Sequence, residues 1–162
     1  MSHSRTTIDP IAQLMLDHDH VLQQLASLRR ATRSLETSGV SNDQLRKIRT
    51  ALSFIEEEVR VHNRSEEEAL FPVLERYVEG PTQVMRQEHK VLRSEVRKLQ
   101  RVVSRLEGRT SDASALRTLA EVSQSVVQLF VNHIHKENQI LFPLVQRFLT
   151  KDALREVARR MV

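Results

Sequence analysis

The sequence predicts an all-α protein, an antiparallel four-helix bundle closed by a short C-terminal helix, and three observations lead there. It repeats itself: His62 to Pro72 reads HNRSEEEALFP, and His133 to Pro143, 71 residues later, reads HIHKENQILFP. The same offset carries Glu66 onto Glu137, Leu70 onto Leu141, Phe71 onto Phe142 and His18 onto His89. A fixed offset of this kind marks one structural unit used twice, here with halves of about 10–80 and 81–150 related by a pseudo-twofold within one domain, 1–162. Apolar residues also recur every three or four positions through four long stretches, the period of a helix with one buried face. Finally, three glycines and four prolines leave few turns, which favours long helices over many short strands.

The elements follow in order. After a polar opening octet expected to fray, Asp9-Pro10 supplies a cap and a proline at the first helical position. Ile11, Leu14, His18, Val21, Leu25, Leu28 and Leu35 then form the seam of a helix that stops near Ser38-Gly39. Ser41, with Gln44 three residues on, starts the second helix, whose seam runs Leu45, Ile48, Leu52, Ile55, Val59, His62, Glu66, Ala69, Val73. Pro72 lacks a backbone donor and crowds the carbonyl of Glu68, so a kink or early end is expected there, followed by a short segment to Gly80-Pro81. The third helix spans about Thr82 to Glu107 with the seam Met85, His89, Leu92, Val96, Leu99, Val103, Leu106, and Gly108 ends it. Ser111 or Asp112 caps the fourth, whose seam is Leu116, Leu119, Ser123, Val126, Phe130, His133, Glu137, Ile140, Leu144, with Pro143 repeating the interruption. Leu154, Val157, Ala158 and Met161 give the closing helix its apolar side. Short connections between four long helices imply antiparallel neighbours.

Composition excludes several functions. With no cysteine there is no disulfide, thiolate zinc site, iron–sulfur ligand or cysteine nucleophile. No signal-peptide core and no apolar run approaching the roughly 18 residues of a membrane span are present, so the expectation is a soluble cytoplasmic protein without a membrane partner. The net charge of +4 indicates a well-solvated surface.

Six polar residues interrupt the apolar seams: His18, His62, Glu66, His89, His133 and Glu137. Buried ionisable groups need partners, because an unpaired carboxylate in a dry core is strongly unfavourable. Counting along each hairpin from its loop, His18 stands level with His62 and His89 with His133 to about one turn, at roughly 1.5 Å rise per residue. Four imidazoles and two carboxylates converging in one core point to a dinuclear metal site, with two histidines per metal and Glu66 and Glu137 as bridges. A histidine and a glutamate four residues apart share a helix face, which lets the carboxylate reach across. This nitrogen and oxygen set suits iron or manganese, and admits zinc.

At these residues the sequence resembles the hemerythrin-like family of HHE cation-binding domains. The resemblance rests on Asp17-His18, His62 and Glu66 before Leu-Phe-Pro, Glu88-His89, and His133 and Glu137 before the second Leu-Phe-Pro, and it covers essentially the whole chain. It implies a left-twisted bundle around two non-haem, carboxylate-bridged iron ions that meet oxygen, nitric oxide or peroxide. The function so implied is binding or sensing such a ligand, or buffering iron. The alternative is an oxidoreductase turning over peroxide or nitric oxide at the same centre, and no general acid, nucleophile or cofactor motif separates the two. The sequence departs from oxygen-carrying members, which have five histidines, two of them four apart on the third helix, and an aspartate on the fourth. Here Arg93 stands four residues after His89, and Glu137 is the fourth-helix carboxylate. Glu58, one turn before His62, is a candidate for the lost ligand; His20 and His135 point to the surface, and Tyr77 and Phe148 are read as packing.

One further pattern is not explained by the repeat. Arg86, Lys90, Arg93, Arg97, Arg101 and Arg105 follow at three or four residues along the third helix, opposite its seam, while the first helix has only Arg29, Arg30 and Arg33 near its end. No aromatic residues interleave and no nucleic-acid-binding motif is visible, so the stripe is either a solvated face or a dock for an acidic partner, and nucleic acid is not the expected partner.

Overall fold

The computed structural model describes residues 9–108 and 113–161, and within them the chain forms five helices and no strand. We label them α1 (Pro10–Ser38), α2 (42–74), α3 (Thr82–Gly108), α4 (113–148) and α5 (Lys151–Arg160). The first four form the bundle, each packed against its two neighbours around a square, α1 on α2 and α4, α3 on α2 and α4. The all-α bundle expected from the sequence is therefore the observed fold.

Local chemistry sets the ends. Asp9 Oδ1 accepts the backbone N–H of Ile11 at 2.9 Å and of Ala12 at 3.4 Å, with Pro10 following as the first helical residue. Gly39 closes α1 with φ +82°, a conformation open to glycine without strain, and donates its N–H to Leu35 O. Ser41 Oγ accepts from Gln44 N, and Thr150 Oγ1 caps α5 through Ala153 N, both at 3.1 Å. Ser111 and Asp112, expected to cap α4, and the opening octet lie outside the described residues.

The expected proline interruptions take a specific form. Helix α2 passes through a π-helical turn at Glu66–Leu70 and α4 through another at Glu137–Leu141, so that Phe71 N donates to Glu66 O and Phe142 N to Glu137 O, one residue wider than an α turn. A wide turn before Pro72 and Pro143 relieves the clash of each ring with the carbonyl four residues back, and the helix continues without stopping. The extra residue also rotates the downstream face. Ile140, on the seam expected for α4, is 51% exposed, while Leu141, Phe142 and Val145 are fully buried. Sequence periodicity carried an α-helical step across a turn that is not α-helical.

Two apolar clusters result. The larger fills the loop-proximal part of the bundle with Leu25, Leu28, Ile48, Ile55, Leu99, Leu119 and their neighbours. The smaller joins Ile11, Leu14, Phe71, Met85, Phe142 and Val145 at the other end, where Ala153 and Val157 of α5 close it. On every bundle helix the buried histidines and glutamates fall where the two clusters meet. Tyr77 and Phe148, expected to pack, are instead 44% and 37% exposed, with Arg147 lying over the Phe148 ring.

Candidate metal centre

The six seam residues come together. His18, His62, Glu66, His89, His133 and Glu137 are all at most 5% exposed, and one ligand atom from each of Glu66, His89, His133 and Glu137 lies within 4.8 Å of the others. His18, His62 and Glu137 form a second such group, so Glu137 belongs to both. Each hairpin contributes one imidazole pair: the rings of His18 and His62 are 4.7 Å apart, and those of His89 and His133 4.9 Å.

Glu137 divides its oxygens between the pairs. Oε1 is 2.8 Å from His18 Nε2 and 3.4 Å from His62 Nε2, whereas Oε2 is 3.4 Å from His133 Nε2 and 3.9 Å from His89 Nε2. Glu66 spans them with a single atom, Oε1 standing 2.6 Å from His62 Nε2 and 3.7 Å from His89 Nε2. Both glutamates begin their π turns, so the wide turn starts at the residue that reaches inward. Single π turns inside α-helices are frequent at functional sites.

The opposite ring nitrogens are held from outside. His18 Nδ1 bonds to Asn138 Oδ1 at 2.8 Å, His62 Nδ1 to Asp17 Oδ2 at 3.0 Å and His89 Nδ1 to Glu67 Oε1 at 2.8 Å, while His133 Nδ1 faces Glu88 Oε1 at 3.7 Å. These partners obey the 71-residue offset: Asp17 maps onto Glu88 and Glu67 onto Asn138. An imidazole that donates from Nδ1 to an oxygen presents the lone pair of Nε2, the tautomer a metal needs. His18 stacks on Phe142 and His89 on Phe71, each histidine on the Leu-Phe-Pro phenylalanine of the other half.

Whether these residues fit a cation can be asked of the atoms. With Nδ1 carrying the proton, His18 Nε2 and Glu137 Oε1 both point lone pairs at each other across 2.8 Å, which is favourable only with a proton or cation between them. Six buried atoms have no hydrogen-bond partner: both oxygens of Glu66, Glu137 Oε2, His89 Nε2, and both ring nitrogens of His133. Buried polar groups are ordinarily paired, so a cluster of orphaned electron-pair donors in a dry core fits cations. Protonation carries the same message. Burial and the facing charge of Glu137 push the Glu66 carboxyl well above the usual range. For Glu137, burial is outweighed by the Glu66, His133, His18 and His62 side chains close around it, which hold it well below. Burial of His62 is likewise outweighed, by the Glu66 charge and hydrogen bonds to Asp17 and Glu137, which raise it well above its ordinary value. Buried carboxyls pushed in opposite directions beside one another mark a place where a cation would relieve their repulsion.

The remaining candidates lie elsewhere. Glu58 turns toward His20, its Oε1 3.3 Å from Nδ1, and joins neither group; His135 is exposed. Asp17 and Glu88 stand in the repeated acidic-His motif, whereas Glu67 and Asn138 carry no sequence signal beyond the 71-residue offset that pairs them. On the basic stripe, Arg86 is bound to Glu75 at 2.7 Å and lies over the Phe71 ring, while Lys90, Arg93, Arg97 and Arg101 are exposed with no acidic partner among the described residues.

A four-helix bundle with histidines and glutamates converging from all four helices defines a class of cation-binding helical protein. The family model for the hemerythrin HHE cation-binding domain matches residues 9–145, and the chain belongs to that family. No curated protein matches it. None of the helices among the described residues is long and apolar enough to cross a membrane.

Proposed function

We propose that the chain is a carboxylate-bridged dinuclear iron protein that binds or senses oxygen, nitric oxide or peroxide, with His18 and His62 holding one metal, His89 and His133 the other, and Glu137 and Glu66 spanning both. The observation that carries this is the division of the Glu137 oxygens between two imidazole pairs. Manganese or zinc would fit the same donors. Bound iron would supply open coordination positions for a small ligand, since two imidazoles and shared carboxylate oxygens do not fill six sites. The protein's own residues set the tautomers through Asp17, Glu67 and Asn138, and the two apolar clusters keep water from the centre. Among the described residues no buried general acid beyond these donors stands ready to turn over a substrate, which favours binding or sensing over catalysis.

Optical spectra test this. Protein loaded with ferrous iron under anaerobic conditions should change its spectrum on exposure to nitric oxide and to air. A site full of iron whose spectrum answers neither gas would leave iron buffering as the function.

A further inference from the structure

The 71-residue offset makes the groove between α1 and α4 the mate of the groove between α2 and α3, and the two differ at the loop end of the bundle. In the α2/α3 groove side chains clasp across the gap. Arg49 Nε donates to Glu107 Oε1 at 2.7 Å, and Gln100 Nε2 donates to Glu56 Oε2 at 2.9 Å. At the same height these helices bury Leu52 and Val103. In the α1/α4 groove each of these parts is exchanged. The mate of the Arg49–Glu107 pair is Ala120 with Glu36, and the mate of the Gln100–Glu56 bond is Arg29 with Val127, so neither clasp can form. Ser123 and Thr32 stand in place of Leu52 and Val103. Each exchange gives up a pairing or an apolar contact that the mate groove keeps, and together they make room.

The room is a cavity of about 280 Å³. Thr32 and Ser123, 6% and 3% exposed, form its floor, and the half-buried Ala120 and Val127 its walls. Arg29, Arg33 and Glu36 stand exposed at its rim, with the Gln124 and Gln128 amides. None of these residues borders the small void beside the histidines, so the cavity is separate from the metal centre. Its polar groups have capacity to spare. Thr32 Oγ1 donates to Leu28 O at 2.9 Å and therefore accepts from Ser123 Oγ at 3.0 Å, which leaves the Ser123 lone pairs for an incoming donor. At the rim, neither Arg29 nor Arg33 is bound to a carboxylate among the described residues.

We propose that this cavity binds a small organic anion carrying hydroxyl groups, with its carboxylate or phosphate held by Arg29 and Arg33 and a hydroxyl donated to Ser123 Oγ. Guanidinium groups recognise both kinds of oxyanion. Glu36, one turn beyond Arg33, accepts a second hydroxyl and repels a ligand charged at both ends, so the class is an anion with a single charged head. The volume lies at the small end of ligand pockets, which suits a short carbon chain lying against Ala120 and Val127. The site is independent of the metal reading, since it shares no residue with the centre.

Calorimetry on the full chain tests this with four probes: glycerate and glycerol phosphate, which carry both groups, propionate, which lacks hydroxyls, and glycerol, which lacks charge. Glycerate or glycerol phosphate should bind more tightly than propionate and glycerol by about tenfold or more, and the stronger of the two identifies the head group. NMR signals of the Ala120 and Val127 methyl groups should shift with the bound probe. Arg29→Gln with Arg33→Gln should weaken binding by a similar factor. Ala120→Arg separates a closed cavity from general attraction: it restores the clasp to Glu36 while adding positive charge, so binding should be lost. Thr32→Val with Ser123→Leu restores the apolar floor and should reduce glycerate to the level of propionate; should that variant fail to fold, Ala120→Arg decides alone. Absence of binding by both hydroxylated anions at millimolar concentration, equal binding of glycerate and propionate, or unchanged affinity in Ala120→Arg would overturn the site.

Discussion

Set side by side, the hairpins α1–α2 and α3–α4 agree at the six histidines and glutamates of the centre and at the phenylalanines stacked on them, and diverge around them. His18 and His89, His62 and His133, and Glu66 and Glu137 occupy equivalent places, as do Phe71 and Phe142 stacked on the opposite histidines. Outside that set the agreement lapses. Glu67 is matched by Asn138, Ser65 by Lys136, Leu22 by Arg93, and the buried Thr32–Ser123 hydroxyl pair, 3.0 Å apart, by Val103 and Leu52. Duplicated helices thus keep a symmetric donor set, and asymmetry enters through the residues around it.

The largest effect should come from removing a bridge. Glu137→Ala deletes the carboxylate whose two oxygens serve both imidazole pairs, so elemental analysis should find both metals lost, whereas His18→Ala should retain close to one. Glu66→Ala should also lose metal from both pairs, though less completely, because only its Oε1 faces them. Full metal content in Glu137→Ala would remove the bridge from the scheme.

A smaller effect should separate the pairs. The partner of His89 is the Glu67 carboxylate and that of His18 the neutral Asn138 amide, both at 2.8 Å, while the Asp17 carboxylate holds His62 at 3.0 Å. Partners of this kind are worth about 10–100-fold in metal affinity when removed. Competition with a chelator should therefore show one metal weakened in Glu67→Ala and the other in Asp17→Ala. Glu88→Ala should matter least, since Glu88 stands 3.7 Å from His133 Nδ1 and is bound to Lys136 Nζ at 2.9 Å. Equal weakening of both metals in every variant would mean that the halves do not act as separate pairs.

The smallest effect is on stability against pH, and its sign is set by protonation. The Glu66 carboxyl and the His62 imidazole hold protons more tightly folded than unfolded, so their contribution is present below their ordinary values and is lost as pH rises through their raised folded values. Asp17 and Glu137, held below the usual range, contribute above it and lose that in acid. Metal-free protein should thus melt highest in mild acid and lower toward alkaline pH, while metal-loaded protein should do the reverse, because metal displaces these protons. Parallel melting profiles with and without metal would contradict the proton–metal exchange.

Much of this could be read from the chain because the informative positions repeat. His18, His62, Glu66, His89, His133 and Glu137 stand where an apolar seam demands an explanation, and the offset pairs them without a structure. Two features escaped for physical reasons. Contacts such as His18 with Asn138 or Phe142 join helices distant in sequence, and helical periodicity ranks faces without saying which residues of two faces meet. The π turns were foreshadowed by Pro72 and Pro143, yet the sequence left open whether the helix would break, kink or widen, and the choice to widen moved Ile140 out and Phe142 in.

Metal counting on purified protein loaded with ferrous iron bears on the whole scheme at once. Close to two ions per folded chain are expected, with the apo protein melting lower by mass action. A value near zero with the helical fold intact would contradict a metal centre in the core, and a firm value of one would contradict Glu137 as the bridge between two.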